Sequence, residues 1–122
     1  MHRSYIADPS LFAATYAAAD IFICSSVEDS GPMMINESMM SGTPVAAFEM
    51  GVAIDLVVNG TTGFRVPLGD SAALASALAA FVRLEPAERA RMSAACRSRA
   101  LEKTSSAGQV GAFIELAKRL RA

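Results

Sequence analysis

Three acidic residues lie close together in the stretch EDSGPMMINESMMSG, which spans residues 28–42. Asp29 lies just before a predicted helix, and Glu37 lies about one and a half turns inside it. A carboxylate only accepts hydrogen bonds, and its two oxygens can accept from two adjacent hydroxyl groups of a sugar. The simpler alternative is that Asp29 and Ser30 cap the helix while Glu37 faces solvent. From spacing alone that alternative is favoured, because such caps are common.

The start of the same helix offers a site for an anion. The first backbone N–H groups of a helix have no partner within it, and the helix dipole makes that end electropositive. Pro32 has no N–H group, but the next three residues, Met33, Met34 and Ile35, keep theirs. These amides could hold a phosphate between the two carboxylates.

Composition narrows the class of protein. The chain has 122 residues, which suits one domain, and 52% hydrophobic and 19% charged residues indicate a globular protein. A formal net charge of −1 gives no electrostatic signature of binding to nucleic acid or to an anionic membrane. The single histidine, His2, argues against Ser-His-Asp or Cys-His catalysis, and the distant Cys24 and Cys96 are predicted to be reduced thiols of a cytosolic protein. We expect neither a signal peptide nor a transmembrane segment.

Short apolar segments alternate with helical patterns along the chain. Strands are predicted at residues 21–24, 43–48 and 63–67, with a weaker strand-like stretch at 4–8. Helices are predicted at residues 8–20, 32–41, 53–60, 69–84, 85–103 and 109–122. This alternation indicates an α/β fold with a parallel sheet flanked by helices. Ligands of such sheets bind beyond the carboxyl ends of the strands, which singles out residues 25–37.

Residues 19–70 resemble the donor-binding half of retaining glycosyltransferases of family four, the group 1 type with the GT-B fold. Five blocks match in order and spacing: ESM (37–39), GTPV (42–45), DLV (55–57), GTTG (60–63) and PLGD (67–70). The resemblance implies a Rossmann-like sheet, a nucleotide-diphosphate sugar as the donor, and neither a metal nor another cofactor.

The family carries two glutamates separated by seven residues, and this chain has Asp29 and Glu37 at that spacing, with Glu28 one position out of register. By resemblance Asp29 and Glu37 are the catalytic pair: Glu37 binds the ribose hydroxyls, and Asp29 lies near the donor sugar. The remaining donor-binding residues implied are Glu28, Ser30, Gly31, Met33, Met34 and Thr43. Two departures affect the sugar end: Asp29 is one methylene shorter than glutamate, and Pro32 removes an amide near the phosphates.

The resemblance also implies that residues 1–122 form a single, incomplete donor-binding domain. The family's acceptor domain has no counterpart here, and neither does the Arg/Lys segment that neutralises the departing diphosphate. We therefore expect a truncated glycosyltransferase that would transfer a sugar to a glycan or lipid acceptor but is inactive alone. A cytoplasmic location is expected, and the full enzyme could lie against the inner membrane face.

The alternative is a non-catalytic nucleotide-sugar binding or assembly module that completes a partner chain. A sugar-nucleotide epimerase is disfavoured by the scarcity of histidine and by the Thr-Pro-Val block.

Several other residues have simpler expected roles. The strand at 21–24 should be an exposed sheet edge, which either residues 4–7 or a second copy of the chain would cover, the latter giving a homodimer. The methionines of residues 33–40 should fill the core and the helix interface, and Arg65 and the arginines of residues 85–103 should face solvent. Glu49 and Asp55 could approach the site.

Overall fold

The computed structural model describes residues 5–29 and 33–121. Within these ranges lie the strands β1 (Phe22–Cys24), β2 (Val45–Phe48) and β3 (Gly63–Val66), and the helices α1 (Pro9–Ala17), α2 (Met33–Met40), α3 (Val52–Leu56), α4 (Ser71–Val82), α5 (Pro86–Thr104) and α6 (Ser106–Arg121). The predicted order of strands and helices is confirmed. The weaker prediction of a strand at 4–8 is wrong for residues 5–8, and residue 4 lies outside the described ranges. Asp8 instead caps α1.

The sheet is parallel and has the order β1-β2-β3. Phe22 lies opposite Val45 in the first pair of strands, and Val45 lies opposite Gly63 in the second. The central strand β2 is buried along its whole length. A parallel sheet with helices on its faces is the predicted α/β architecture.

Alternate residues of β2 contribute to two separate cores, because successive side chains of a strand point to opposite faces. Val45 and Ala47 pack with α2, α3 and α5, whereas Ala46 and Phe48 pack with α4. The first core also contains buried side chains from its three helices: Ile35, Met39, Ala53, Leu56, Cys96 and Ala100.

β1 is an edge of the described sheet, as predicted, and one of its two faces is partly exposed. Cys24 is buried, whereas 47% of Ile23 is exposed. Since α4 packs mainly on β2 and β3, the face of β1 that carries Ile23 is left uncovered. The homodimer that would cover this edge stays a prediction.

Local signals fix several helix ends. The Asp8 carboxylate accepts hydrogen bonds from two backbone amides of the first turn of α1, at 2.8 and 3.1 Å, and Pro9 begins the helix. Gly42 ends α2 with a φ of 78°, the left-handed conformation expected of a glycine cap. Asp70 caps α4.

The helices predicted at residues 85–103 and 109–122 left a gap of five residues, but α5 and α6 are separated by Ser105 alone. The Ser105 side-chain oxygen accepts from the amide of Gly108 at 3.1 Å, and its carbonyl accepts from Gln109 at 2.9 Å. Ser105 therefore starts α6 earlier than the apolar pattern indicated. Among the helices of the described ranges, none is long and apolar enough to cross a membrane.

Three arginines of α5 donate to backbone carbonyls. Arg89 and Arg99 are partly buried, so the predicted solvated face is wrong for them, whereas Arg97 is exposed as predicted. Arg97 donates to the carbonyl of Met40 at 2.7 Å, and Arg99 donates to that of Leu56 at 2.9 Å. Arg89 donates to carbonyls at the end of α4. The last carbonyls of a helix have no partner within it, so these side chains satisfy the ends of α2, α3 and α4.

Candidate functional site

The acid-rich loop leaves the carboxyl end of β1 and leads to the start of α2, where the sheet architecture predicted a site. Glu28 and Asp29 are both exposed in this loop. Three of the predicted donor-binding and helix-start residues lie outside the described ranges: Ser30, Gly31 and Pro32.

The first turn of α2 projects beyond the core. Met33 is 70% exposed and Met34 is 45% exposed, so the prediction that they fill the core is wrong. Met39 is fully buried and Met40 packs against the same core, as predicted. The helix turns its 35, 38 and 39 positions inward, while Met33 and Met34 are exposed.

Glu37 lies one turn further along α2, and its carboxylate is held by α1. The hydroxyl of Tyr16 donates to the Oε2 atom of Glu37 at 3.1 Å, in a partly buried contact between residues 21 positions apart. Glu37 is half-buried, so the alternative in which it points into bulk solvent is wrong. No pattern in the sequence indicated the Tyr16 contact, because the two residues belong to different helices.

Tyr16 is itself fixed in an aromatic cluster. Its ring makes edge-to-face contacts with Phe12 and Phe22, at centroid distances of 5.3 and 5.7 Å. Burial, followed by the hydrogen bond and the charge of Glu37, raises the pKa of Tyr16 from 10.0 to about 12. The phenol therefore remains a protonated donor throughout the physiological pH range.

Thr43, one of the predicted donor-binding residues, is only 1% exposed. Its hydroxyl donates to the backbone carbonyl of Tyr16 at 2.7 Å, and its own carbonyl accepts from the hydroxyl of Ser38 at 3.0 Å. Thr43 thus joins α1 and α2 to the segment that enters β2. Its hydroxyl is thus directed at the backbone of Tyr16.

Asn36 is a polar residue that the sequence reasoning did not single out. Its Oδ1 atom is buried and accepts no hydrogen bond within the described ranges. An unsatisfied buried acceptor costs about 1–3 kcal/mol. An amide next to Glu37 in a largely apolar helix was the signal that could have drawn attention to it.

Glu49 and Arg65 pair with each other at the carboxyl ends of β2 and β3. The Nε atom of Arg65 lies 3.2 Å from the Oε1 atom of Glu49, and the Arg65 guanidinium also donates to the carbonyl of Ile54. Arg65 thus ties β3 to α3, and its side chain is 27% exposed, so the prediction that it faces solvent holds only in part. Asp55 is exposed on α3, and its backbone carbonyl accepts from Arg99.

Within the described part of the chain, no group of three or more His, Cys, Asp or Glu side chains could hold a metal ion.

Comparison with known sequences identifies relatives of this chain. Residues 4–83 match the model of a family described as glycosyl transferases group 1. Over 72 residues the chain is 38% identical to a phosphatidyl-myo-inositol mannosyltransferase of Mycobacterium leprae, which covers 58% of this chain and 19% of that protein. The chain therefore spans about a fifth of the length of this relative.

Solved structures share the fold. The sucrose-phosphate synthase of Thermosynechococcus elongatus matches 93% of this chain and 28% of its own, with a TM-score of 0.76 and 26% identity. HepE of Anabaena, solved in complex with UDP-glucose, matches 84% of this chain and 29% of its own, with a TM-score of 0.69 and 24% identity. TarM matches 93% of this chain and 22% of its own, with a TM-score of 0.72 and 17% identity. The parallel sheet, the flanking helices and the match over residues 4–83 together make this chain a member of the group 1 glycosyltransferase family, with the α/β fold of its GT-B structural neighbours.

Proposed function

We propose that this chain is the donor-binding part of a retaining glycosyltransferase, which moves a sugar from a nucleotide-diphosphate sugar to a glycan or lipid acceptor. The observation that carries the proposal is the position of Glu37: half-buried on α2, the helix that follows the loop at the carboxyl end of β1, and held by Tyr16. The UDP-glucose bound by HepE supports a nucleotide sugar as the ligand.

Glu37 would bind the ribose of the donor. Tyr16 contacts its Oε2 atom, and a carboxylate offers about four lone-pair sites, so Glu37 keeps the capacity to accept from two vicinal hydroxyls. Hydrogen bonds from neutral donors to a charged acceptor contribute about 1.5–3 kcal/mol each. Asp29, in the loop before α2, would bind hydroxyls of the transferred sugar.

The diphosphate would lie between these two acids, against the first turn of α2. Met33 and Met34 are exposed at that turn, and the amides at a helix start favour an anion. Glu28, Ser30 and Gly31 would line the same end of the site.

Turnover requires more than this site supplies. Charge that develops on a departing diphosphate must be stabilised by cations or preorganised donors. The sequence has neither lysine nor arginine between Arg3 and Arg65, and Arg65 is paired with Glu49. We therefore infer that the 122-residue chain binds a nucleotide sugar without transferring it, and that the cations and the acceptor site come from additional polypeptide. No metal takes part in this proposal.

A second candidate is a non-catalytic nucleotide-sugar binding or assembly module that completes a partner chain. Two observations favour it. β1 is an edge strand of the described sheet, and its Ile23 side chain is 47% exposed on an uncovered face. Light scattering distinguishes a module that dimerises through β1 from one that is monomeric. A dimer that is lost in an Ile23→Lys variant would favour pairing of two copies at this edge, whereas a concentration-independent monomer would count against it.

Calorimetric titration with UDP-glucose, GDP-mannose and the free diphosphates tests the leading proposal. We expect binding of at least one nucleotide sugar, weakened about tenfold or more in Glu37→Gln. Glu115→Gln is the matched control, because the same change falls on an exposed helix position whose contact is Lys118 at 2.9 Å. Equal affinities for wild type, Glu37→Gln and Glu115→Gln would overturn the assignment of Glu37.

A further inference from the structure

The hydrogen bond between Tyr16 and Glu37 restricts the Glu37 side chain. The Tyr16 hydroxyl, on α1, donates to one carboxylate oxygen of Glu37, on α2. A glutamate side chain has considerable rotamer freedom, and fixing it during binding costs free energy. A contact that fixes the carboxylate beforehand removes that cost from ligand binding.

Tyr16 is well suited to this task because its own position is fixed from two sides. Its backbone carbonyl accepts the hydroxyl of the buried Thr43 at 2.7 Å. Its ring packs edge-to-face against Phe12 and Phe22. The hydroxyl is therefore presented to α2 by a ring that has little freedom to turn.

We propose that Tyr16 is a positioning residue of the donor site: its hydroxyl holds the Glu37 carboxylate in the orientation that accepts two vicinal ribose hydroxyls. This inference rests on the proposed function, in which Glu37 contacts the ribose. Tyr16 itself would not touch the donor; it acts through Glu37. The raised pKa of Tyr16 agrees with this arrangement, since the phenol stays protonated and donates to the carboxylate.

The contact can be tested without any ligand by titrating the phenol spectroscopically. The chain has two tyrosines, so a Tyr5→Phe background leaves Tyr16 as the only phenol. The hydrogen bond and charge of Glu37 both raise the Tyr16 pKa. We therefore expect Tyr16 to ionise at lower pH in Tyr5→Phe/Glu37→Gln than in Tyr5→Phe, while remaining above 10.0 because burial persists. Superimposable titration curves would overturn the inference.

The second arm measures affinity for UDP-glucose, or for GDP-mannose if that is the sugar bound. Tyr16→Phe keeps the ring and its aromatic contacts and removes only the hydroxyl, so we expect a folded protein that binds about three- to tenfold more weakly. Tyr5→Phe is the matched control, because Tyr5 is 93% exposed. If Tyr16 acts through Glu37, adding Tyr16→Phe to Glu37→Ala should weaken binding no further.

The outcomes separate the two proposals. Binding by wild type that is lost in Glu37→Ala but unchanged in Tyr16→Phe would overturn the role of Tyr16 and leave the proposed function standing. Equal additional losses from Tyr16→Phe in the wild-type and Glu37→Ala backgrounds would also overturn it, because a general structural effect is additive. No binding of any nucleotide sugar by wild type would overturn the proposed function, and with it this inference.

Discussion

The thiol of Cys96, in the middle of α5, donates to the backbone carbonyl of Thr62 at 3.0 Å and fixes the long helix to the turn before β3. Both residues are buried. The Thr62 hydroxyl in turn donates to the carbonyl of Leu56 at 3.1 Å and accepts from the amide of Val58 at 2.8 Å. Cys96 is thus a structural residue of the core beneath the site, and burial raises the pKa of its thiol from 9.0 to about 12.

This raised pKa predicts a loss of stability at alkaline pH. The folded state favours the neutral thiol, so the stabilisation is complete below pH 9.0 and is lost as the pH rises towards about 12. Tyr16 acts in the same direction between 10.0 and about 12. Urea unfolding of wild type and Cys96→Ser, compared at about pH 7 and about pH 10.5, should show a smaller alkaline decrease in the free energy of unfolding for the variant. Equal decreases in the two proteins would contradict this role of Cys96.

Alanine substitutions at two methionines of α2 should affect the free energy of unfolding very differently. Met39 is fully buried, so Met39→Ala should lower the free energy of unfolding by about 2–5 kcal/mol. Met33 is 70% exposed, and Met33→Ala should change it by about 0.5 kcal/mol or less. Chemical denaturation of both variants measures the difference. Similar losses would mean that the first turn of α2 is packed rather than accessible.

Gly63 is required at the start of β3 because the backbone of β2 passes directly beside it. Its φ is 149°, and an added Cβ would lie 1.9 Å from the carbonyl oxygen of Val45. Gly63→Ala should therefore cost more than about 4 kcal/mol or prevent folding, as judged by circular dichroism and thermal unfolding. In Gly111→Ala the new methyl group meets nothing within 4 Å, and this control should stabilise α6 by about 0.5–1 kcal/mol. A folded Gly63→Ala protein with wild-type Tm would refute the register of β2 and β3.

Arg99 closes the end of α3 with a fork of two hydrogen bonds. Its Nε atom donates to the carbonyl of Leu56 at 2.9 Å, and a second nitrogen donates to that of Asp55. Lysine keeps the charge but cannot form the fork, so Arg99→Lys should lower the free energy of unfolding by about 1–2 kcal/mol. Arg91→Lys, on an exposed position of the same helix, should be nearly neutral. Denaturation curves that coincide for the two variants would contradict the capping role.

Local features of the sequence predicted most of the fold. Helix ends are set by residues that act within a few positions along the chain, so they can be predicted without knowing which elements pack together. Asp8 with Pro9, Gly42 and Asp70 are examples. The exposure of Ile23 could not be predicted in the same way, because it depends on which helix covers β1.

The candidate site was predicted only in part for the same reason. The position of Glu37 on α2 follows from its spacing, but its contact with Tyr16 depends on how α1 packs against α2. The contacts of Arg97 and Arg99 likewise join residues 57 and 43 positions apart in the sequence, which the charge pattern of residues 85–103 could not indicate.

The most direct measurement of the central claim is saturation-transfer NMR of UDP-glucose or GDP-mannose with wild type and Glu37→Ala. We expect the ribose protons to receive strong saturation in wild type, and to lose it in Glu37→Ala by a larger factor than the sugar protons, since the variant removes the ribose contact and leaves Asp29 and the start of α2. Ribose signals of equal intensity in the two proteins would contradict the assignment of Glu37 to the donor ribose.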